Sequence, residues 1–276
     1  MKNLFVFVPL VFAHRLDRFD LALRSLAAFA AFCAAASAIY LLNDLRDRDA
    51  DRLHPVKRRR PIAAGSLGTP VAAAASAVLA TGAMTLAWTL GRGFSLCLGI
   101  YLALNVLYSL GLKRLVILDV MTIALGFVLR VEAGAQAISV EVSSWLLLCT
   151  IFVALFLGFA KRRHELAHQL ASSGETRAVL EHYSLTFVDQ MINVVTASTV
   201  VAYALYSVDP ATAARLGTGH LVVTVPMVLF GIFRFLFLLY QKADLVSPTE
   251  AILRDPPFLV NLVLWGATVL FLIYGL

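Results

Sequence analysis

Long polar stretches are what this chain has least of. Only 14% of its 276 residues are Asp, Glu, Lys or Arg, while 60% are hydrophobic; soluble domains run at about 45–50% apolar. That excludes an ordinary soluble globular protein and points to an integral membrane protein. Cysteine is scarce as well. Cys33, Cys97 and Cys149 all sit in apolar segments, which argues against a disulfide framework and leaves them as small core residues. A convincing small-x-small cleavage site is missing after the apolar start M-K-N-L-F-V-F-V-P-L-V-F, so that stretch is expected to stay in the mature protein. Neither a low-complexity segment nor a second soluble domain stands out, so one transmembrane domain over 1–276 is expected.

A spanning helix needs about 20 apolar residues. Such segments run at 3–14, 20–43, 69–90, 93–112, 116–138, 143–162, 189–207, 219–241 and 257–275. The first is short and contains Pro9, so the expectation is an all-α bundle of eight or nine transmembrane helices, since open sheets cannot cross lipid. The net charge of +6 matters less than its placement. Alternate connections carry Arg46, Arg48, Arg52 and Lys57–Arg60, then Lys113 and Arg114, then Lys161–Arg163 and Arg177, then Lys242 and Arg254. The opposite ones hold Arg15, Arg18, Arg92 and Arg215, with Arg24 at a helix start. The positive-inside rule puts the richer set, and with it the polar loops 44–68 and 163–188, in the cytoplasm. The membrane is expected to be the inner (plasma) membrane, and no nucleic-acid partner is expected. Small-residue runs such as Ala72–Ala77 permit close helix packing and leave a homo-oligomer open.

Against this background Tyr40–Gly65 stands apart: Y-L-L-N-D-L-R-D-R-D-A-D-R-L-H-P-V-K-R-R-R-P-I-A-A-G holds four aspartates and seven Lys/Arg. Topology accounts for the basic residues but not for the acidic ones, which contribute little to it. Asp44, Asp47 and Asp51 are spaced i, i+3, i+7 and share a face if the preceding helix continues. Asn43 flanks them, and Asp49 falls on the opposite, solvated side. Three convergent carboxylates repel unless a cation sits among them. Oxygen-only ligands suit Mg²⁺ held jointly with substrate phosphates. Lys57, Arg58 and Arg60 are placed to take phosphate oxygens that the metal does not, and Pro55 and Pro61 stop the helix and fix the turn. The competing reading is a solvated loop with local ion pairs.

N-D-x-x-D at the end of the 20–43 segment resembles the first aspartate motif of the UbiA superfamily of intramembrane prenyltransferases. The longer string N-D-L-R-D-R-D-A-D-R-L-H-P-V-K-R-R-R-P-I-A-A-G is similar to one branch, the polyprenyl-phosphate phosphoribosyltransferases. K-N-L-F-V-F-V-P-L, Y-S-L-G-L-K, L-D-V-M-T-I-A-L-G-F-V-L-R-V-E-A-G and K-R-R-H-E-L follow in the expected order. The resemblance implies a UbiA-like bundle around a central cavity. It further implies Mg²⁺ on Asp44, Asp47 and Asp51, and transfer of 5-phosphoribosyl from phosphoribosyl diphosphate to a polyprenyl (decaprenyl-like) phosphate. The second family motif, D-x-x-x-D, is replaced by K-R-R-H-E-L-A-H. That departure argues against the alternative, alkylation of an aromatic or quinone precursor by a polyprenyl diphosphate, because a lipid diphosphate would be expected to keep the second acidic cluster.

Other polar positions divide between binding and ordinary membrane chemistry. Tyr108 and Lys113 are candidate phosphate contacts, or an interfacial aromatic and a snorkelling lysine. Asp119 is a candidate for ribose or a metal-bound water, or a partner of Lys113 or Arg114. Arg130, Glu132 and Arg234 read as buried structural polar groups needing partners, with lining of the lipid path as the alternative for Arg130. Lys161, Arg162 and Glu165 are candidate phosphate-site residues; alternatively the two cations simply favour a helix C-terminus. His164-Glu165-Leu166-Ala167-His168 matches the zinc signature H-E-x-x-H, but no D-G pair offers the third ligand of an intramembrane protease. Ser247–Glu250 and Arg254–Pro257 read as loop and cap chemistry.

Overall fold

The computed structural model describes residues 2–53, 56–171, 178–241 and 248–275, and among these leaves aside the side chains at 168–171, 178, 181, 248 and 249. His54, Pro55, Arg177, Lys242 and Ser247 lie outside the described residues. Every regular element described is helical. The order is a 3₁₀ turn Lys2–Phe7, α1 Val8–Phe12, α2 Phe19–Arg46, α3 Arg48–Leu53, a 3₁₀ turn Lys57–Arg59, α4 Thr69–Leu90, α5 Arg92–Leu110, and α6 Leu118–Ile138. It continues with α7 Ser144–Ala171, α8 Leu185–Val208, α9 Pro210–Leu216, α10 Val225–Gln241, α11 Pro248–Leu253 and α12 Pro256–Tyr274.

Seven described helices are long and apolar enough to cross a membrane, and Lys2–Phe12 is a shorter apolar one. The 21-residue α6 carries Asp119, Arg130 and Glu132 and is not among the seven. Large apolar side chains face outward, among them Trp88, Phe233 and Phe271 at 60% exposure or more. On a water-soluble protein such faces would be a liability; on a multi-pass membrane protein they meet lipid.

The chain divides into two compact units. One comprises 1–11, 15–113 and 126–141, and so includes the later part of α6. Here α2 packs on α4 through small residues: Ala28, Ala31, Ala35 and Ala38 are buried at helical spacing, as are Ala72, Ala83 and Ala87. Missing side-chain bulk lets two backbones approach, which suits packing in lipid; Ser76 Oγ donates to the Ala38 carbonyl at 2.9 Å. Arg24 closes the far end, donating to the carbonyls of Leu90 at 2.9 Å and Ala137 at 2.6 Å. Arg130 is buried with its guanidinium 4.6 Å from the Tyr101 ring centroid. It donates to Asn3 Oδ1, the Gly126 carbonyl and the Tyr101 hydroxyl. Glu132 accepts from Gln136 at 2.9 Å. Gly134 meets the N-terminal segment so closely that a Cβ there would lie 2.1 Å from the Val6 carbonyl oxygen.

The other unit comprises 12–14, 114–125 and 142–276. Its core joins Phe156, Phe159 and Ala160 of α7 to Val188, Ile192 and Val195 of α8 and to Phe235 and Leu239 of α10. Tyr203 anchors a second cluster, its hydroxyl 2.7 Å from Thr224 Oγ1 and 3.0 Å from Trp265 Nε1. Asp255 has two tasks: it caps α12, accepting from Phe258 N at 3.0 Å, and it takes the Arg234 guanidinium at 2.8 and 2.9 Å. That supplies the partner Arg234 was expected to need.

The sequence reading ended the 143–162 segment at the charged run, but α7 continues to Ala171. The charges do not stop the helix because partners meet them. Arg163 donates to Asp189 Oδ1 at 2.8 Å and to the Leu239 carbonyl at 3.2 Å, and lies 4.2 Å from the Tyr240 ring centroid. Lys161 and Arg162 are therefore mid-helix residues, and the helix C-terminus does not explain them.

Candidate active site

In the first unit α2 ends at Arg46, Asp47 is its C-cap, and α3 starts at Arg48. The pitch is nearly kept, because Asp51 N donates to the Asp47 carbonyl at 2.8 Å. A spacing of seven is almost two whole turns, so Asp44 and Asp51 align while Asp47 turns aside. Arg60 Nη1 lies between the aligned pair, 2.8 Å from Asp44 Oδ1 and 2.9 Å from Asp51 Oδ2. Lys57 Nζ is 4.0 Å from Asp51. Asp47 instead takes Lys113 Nζ at 3.2 Å on both oxygens. The expectation of three carboxylates converging on one face is thus corrected to two plus one. Among the described residues no group of three acidic, His or Cys side chains is arranged to hold a metal.

The loop bearing Arg60 is fixed from beneath. Ile62 and Ala63 are buried, Ala64 N donates to the Arg60 carbonyl at 2.8 Å, and Arg52 Nε reaches the Ala63 carbonyl at 3.2 Å. Gly65 adopts φ +80°, a left-handed conformation that glycine accepts without strain. Asp49 points away from the pair with its side chain 77% exposed; the Arg48 hydrogen bond, with Arg52 nearby, holds its carboxyl below the usual range. Arg58 is exposed and makes no contact of this kind among the described residues. Asn43 Oδ1 is met by the buried hydroxyl of Ser109, which is also 2.9 Å from the Asn105 carbonyl. Ser109 stands inside Y-S-L-G-L-K, beside the half-buried Tyr108, but nothing in that string marks it as a partner of Asn43.

The residues present suit a divalent cation in a limited way. Two hard oxygen donors bracket one positively charged nitrogen, so a cation placed between Asp44 and Asp51 would meet both. A carboxylate pair suits Mg²⁺ that draws its remaining ligands from water and phosphate.

In the second unit a different cluster surrounds Arg162. Its side chain is 1% exposed; Nε donates to Asp119 Oδ2 at 2.6 Å, and Nη1 donates to Glu165. Asp119, fully buried, also accepts from the Tyr183 hydroxyl at 2.8 Å. The same hydroxyl receives the Ile117 N–H at 2.6 Å and so holds a β-branched residue at φ +69°. Burial, with Asp119 adding to it, raises the Tyr183 phenol well above its ordinary range. The partner of Asp119 is therefore Arg162, not Lys113 or Arg114. Neither Asp119 nor Arg162 exposes its side chain, so the contacts expected of them with a ligand are made instead to each other, to Tyr183 and to Glu165. Lys161 Nζ lies 3.9 Å from Glu165 and is 56% exposed. No sequence pattern marked Tyr183 or Asp189. In H-E-x-x-H, Glu165 is engaged by Arg162 and Lys161, and the His168 side chain lies outside those described.

The model of the UbiA prenyltransferase family matches residues 4–262. A decaprenyl-phosphate phosphoribosyltransferase of Corynebacterium glutamicum is 34% identical over 251 residues, 90% of this chain and 75% of that protein. One of Mycolicibacterium smegmatis is 36% identical over 191 residues, 69% of this chain and 60% of that protein. A UbiA homolog from Archaeoglobus fulgidus, solved with GPP and Mg²⁺, is 18% identical with a TM-score of 0.69 over 99% of both chains, a likeness of fold. With its family model running through almost all of the sequence, the chain belongs to the UbiA prenyltransferase family.

Proposed function

We propose that the protein transfers a 5-phosphoribosyl group from phosphoribosyl diphosphate to a polyprenyl phosphate of the decaprenyl type, releasing pyrophosphate. The observation that carries the reading is the composition of 161–165. A lipid-diphosphate site would call for a second set of free carboxylates there, but that stretch has one, Glu165, held by two cations. A basic surface suits a donor with an additional 5-phosphate. The C. glutamicum and M. smegmatis relatives, whose names state this activity, support the same choice over prenylation of an aromatic acceptor.

In this reading Asp44 and Asp51, with Asp47 beside them, hold Mg²⁺, and Asn43 orders their helix end. When bound, the metal neutralises charge on the departing diphosphate. Lys57, Arg58, Arg60 and Lys113 supply hydrogen-bond donors to phosphate oxygens; Tyr108 offers its hydroxyl nearby. Lys161 meets a further phosphate, its helix face held by the Arg162–Asp119–Tyr183 contacts and its charge balanced by Glu165. An oxygen of the lipid phosphate attacks the anomeric carbon as the bond to the diphosphate oxygen breaks, inverting that centre. A phosphate dianion is already nucleophilic, so no general base is needed, and the rate comes from positioning and charge stabilisation. Residues 1–276 form one catalytic domain in this reading, set in the inner (plasma) membrane with the charged clusters on the cytoplasmic side, where a soluble phosphosugar is available. The positive-inside distribution supports that orientation.

The test is direct. Purified protein, Mg²⁺, polyprenyl phosphate and labelled phosphoribosyl diphosphate should put label into the lipid fraction. No label with any chain length, together with turnover of a prenyl diphosphate on an aromatic acceptor, would overturn the assignment.

A further inference from the structure

Asp44 and Asp51 meet at a single nitrogen of Arg60, at 2.8 and 2.9 Å. Carboxylates this close raise each other's energy unless a cation separates them, and here the chain provides that cation. We infer that Arg60 is a built-in stand-in for the divalent metal: it neutralises the carboxylate pair while the site is empty, then exchanges the carboxylates for donor phosphate when metal and diphosphate bind together. This rests on the proposed function only in taking a metal diphosphate as the ligand.

The local structure favours such an exchange. The Arg60 backbone is anchored at both ends, its N donating to the Lys57 carbonyl at 2.9 Å and its carbonyl accepting from Ala64 at 2.8 Å, and Pro61 stiffens the next step. The loop therefore stays and the side chain moves. That side chain is 42% exposed, so solvent screens the ion pairs and little is lost on leaving them. A guanidinium forks as well onto a phosphate as onto a carboxylate. Bare metal must evict Arg60 into water, whereas metal with diphosphate gives it a new partner. Metal and diphosphate thus strengthen each other's binding, and the coupling is reciprocal. Lys113 differs, because among the described residues it serves the one carboxylate of Asp47 and bridges no second one.

Mn²⁺ replaces Mg²⁺ as the probe, with free ion read by electron paramagnetic resonance and no phosphate compound present. Wild type is compared with Arg60→Gln and with Arg59→Gln, which removes the same charge from an exposed neighbour. Arg60→Gln should bind bare Mn²⁺ about fivefold tighter, the upper scale of a screened ion pair. Arg59→Gln should stay within about twofold of wild type, as expected for a screened surface charge. Adding inorganic pyrophosphate should tighten Mn²⁺ binding in wild type and much less in Arg60→Gln. If Arg60→Gln does not fold, Arg60→Met, which likewise removes the single nitrogen that meets both carboxylates, decides by binding bare Mn²⁺ tighter than wild type. Bare Mn²⁺ binding no tighter in the Arg60 variant than in Arg59→Gln overturns the inference. Label transfer to lipid is a separate readout, so the reaction and the exchange can fail independently.

Discussion

Arg60 and Arg162 each hold two carboxylates, yet the first is 42% exposed and the second 1%. The Asp44–Arg60–Asp51 group sits on a loop tied to its neighbours by backbone hydrogen bonds, with charged tips in contact with solvent. The Asp119–Arg162–Glu165 group lies largely inside its unit, with the Tyr183 hydroxyl donating to the other oxygen of Asp119. The same chemistry serves two ends. Screened ion pairs are weak and exchangeable, which suits groups that must give way to a ligand. Desolvated pairs gain little on formation but are costly to break one-sidedly, which suits groups that must stay in place.

The largest expected effect breaks the buried group. Arg162→Ala leaves Asp119 charged and unpaired, so stability should fall by about 3–5 kcal/mol, read as the thermal unfolding midpoint in detergent. Arg60→Ala should cost about 1 kcal/mol or less; equal losses would erase the contrast. Next, Asp44→Asn should cut label transfer to lipid by at least about a hundredfold, the scale of a lost electrostatic contact in a transition state, with the unfolding midpoint nearly unmoved. Chelating divalent metal should match that loss in wild type. Tyr183→Phe should cost about 1–2 kcal/mol by leaving Asp119 and the Ile117 N–H short of a partner. Because burial raises this phenol above its ordinary value of about 10, its contribution is whole below that pH and is lost as pH rises through the raised value. Tyr183→Phe should therefore flatten the alkaline limb of the stability curve. The smallest effect is expected from Asp49→Asn, which should leave activity and stability unchanged; a loss equal to that of Asp44→Asn would sink the division between the two faces.

Much of the fold is legible because lipid demands long apolar helices, and such runs need no partner to be recognised. Helix ends were harder. The run at 161–165 reads as a boundary when its charges are assigned to solvent, yet Asp119 and Asp189, both distant in sequence, let α7 continue through it. The same difficulty affects the site. Asp44, Asp47 and Asp51 announce themselves by spacing, but that Arg60 would bridge only two of them, and Lys113 take the third, depends on folded loops. For Asp119, nearness in sequence offers Lys113 or Arg114 as the alternative to a ligand; Arg162, 43 positions away, is the one that reaches it. Tyr183 sits in no motif and shows its role only through its two hydrogen bonds.

The contact of Gly134 with Val6 bears on the order in which the molecule is assembled. Residues 2–12 are made well before the helix that seats them. Asn3 finds Arg130 only 127 positions later, and the Val6 carbonyl lies against a helix surface left flat by the glycine. Residues 2–12 cannot take their final place until α6 has been synthesised. They are thus among the last parts of their unit to be placed, and Gly134→Ala would leave them without a berth while the helices around them stand.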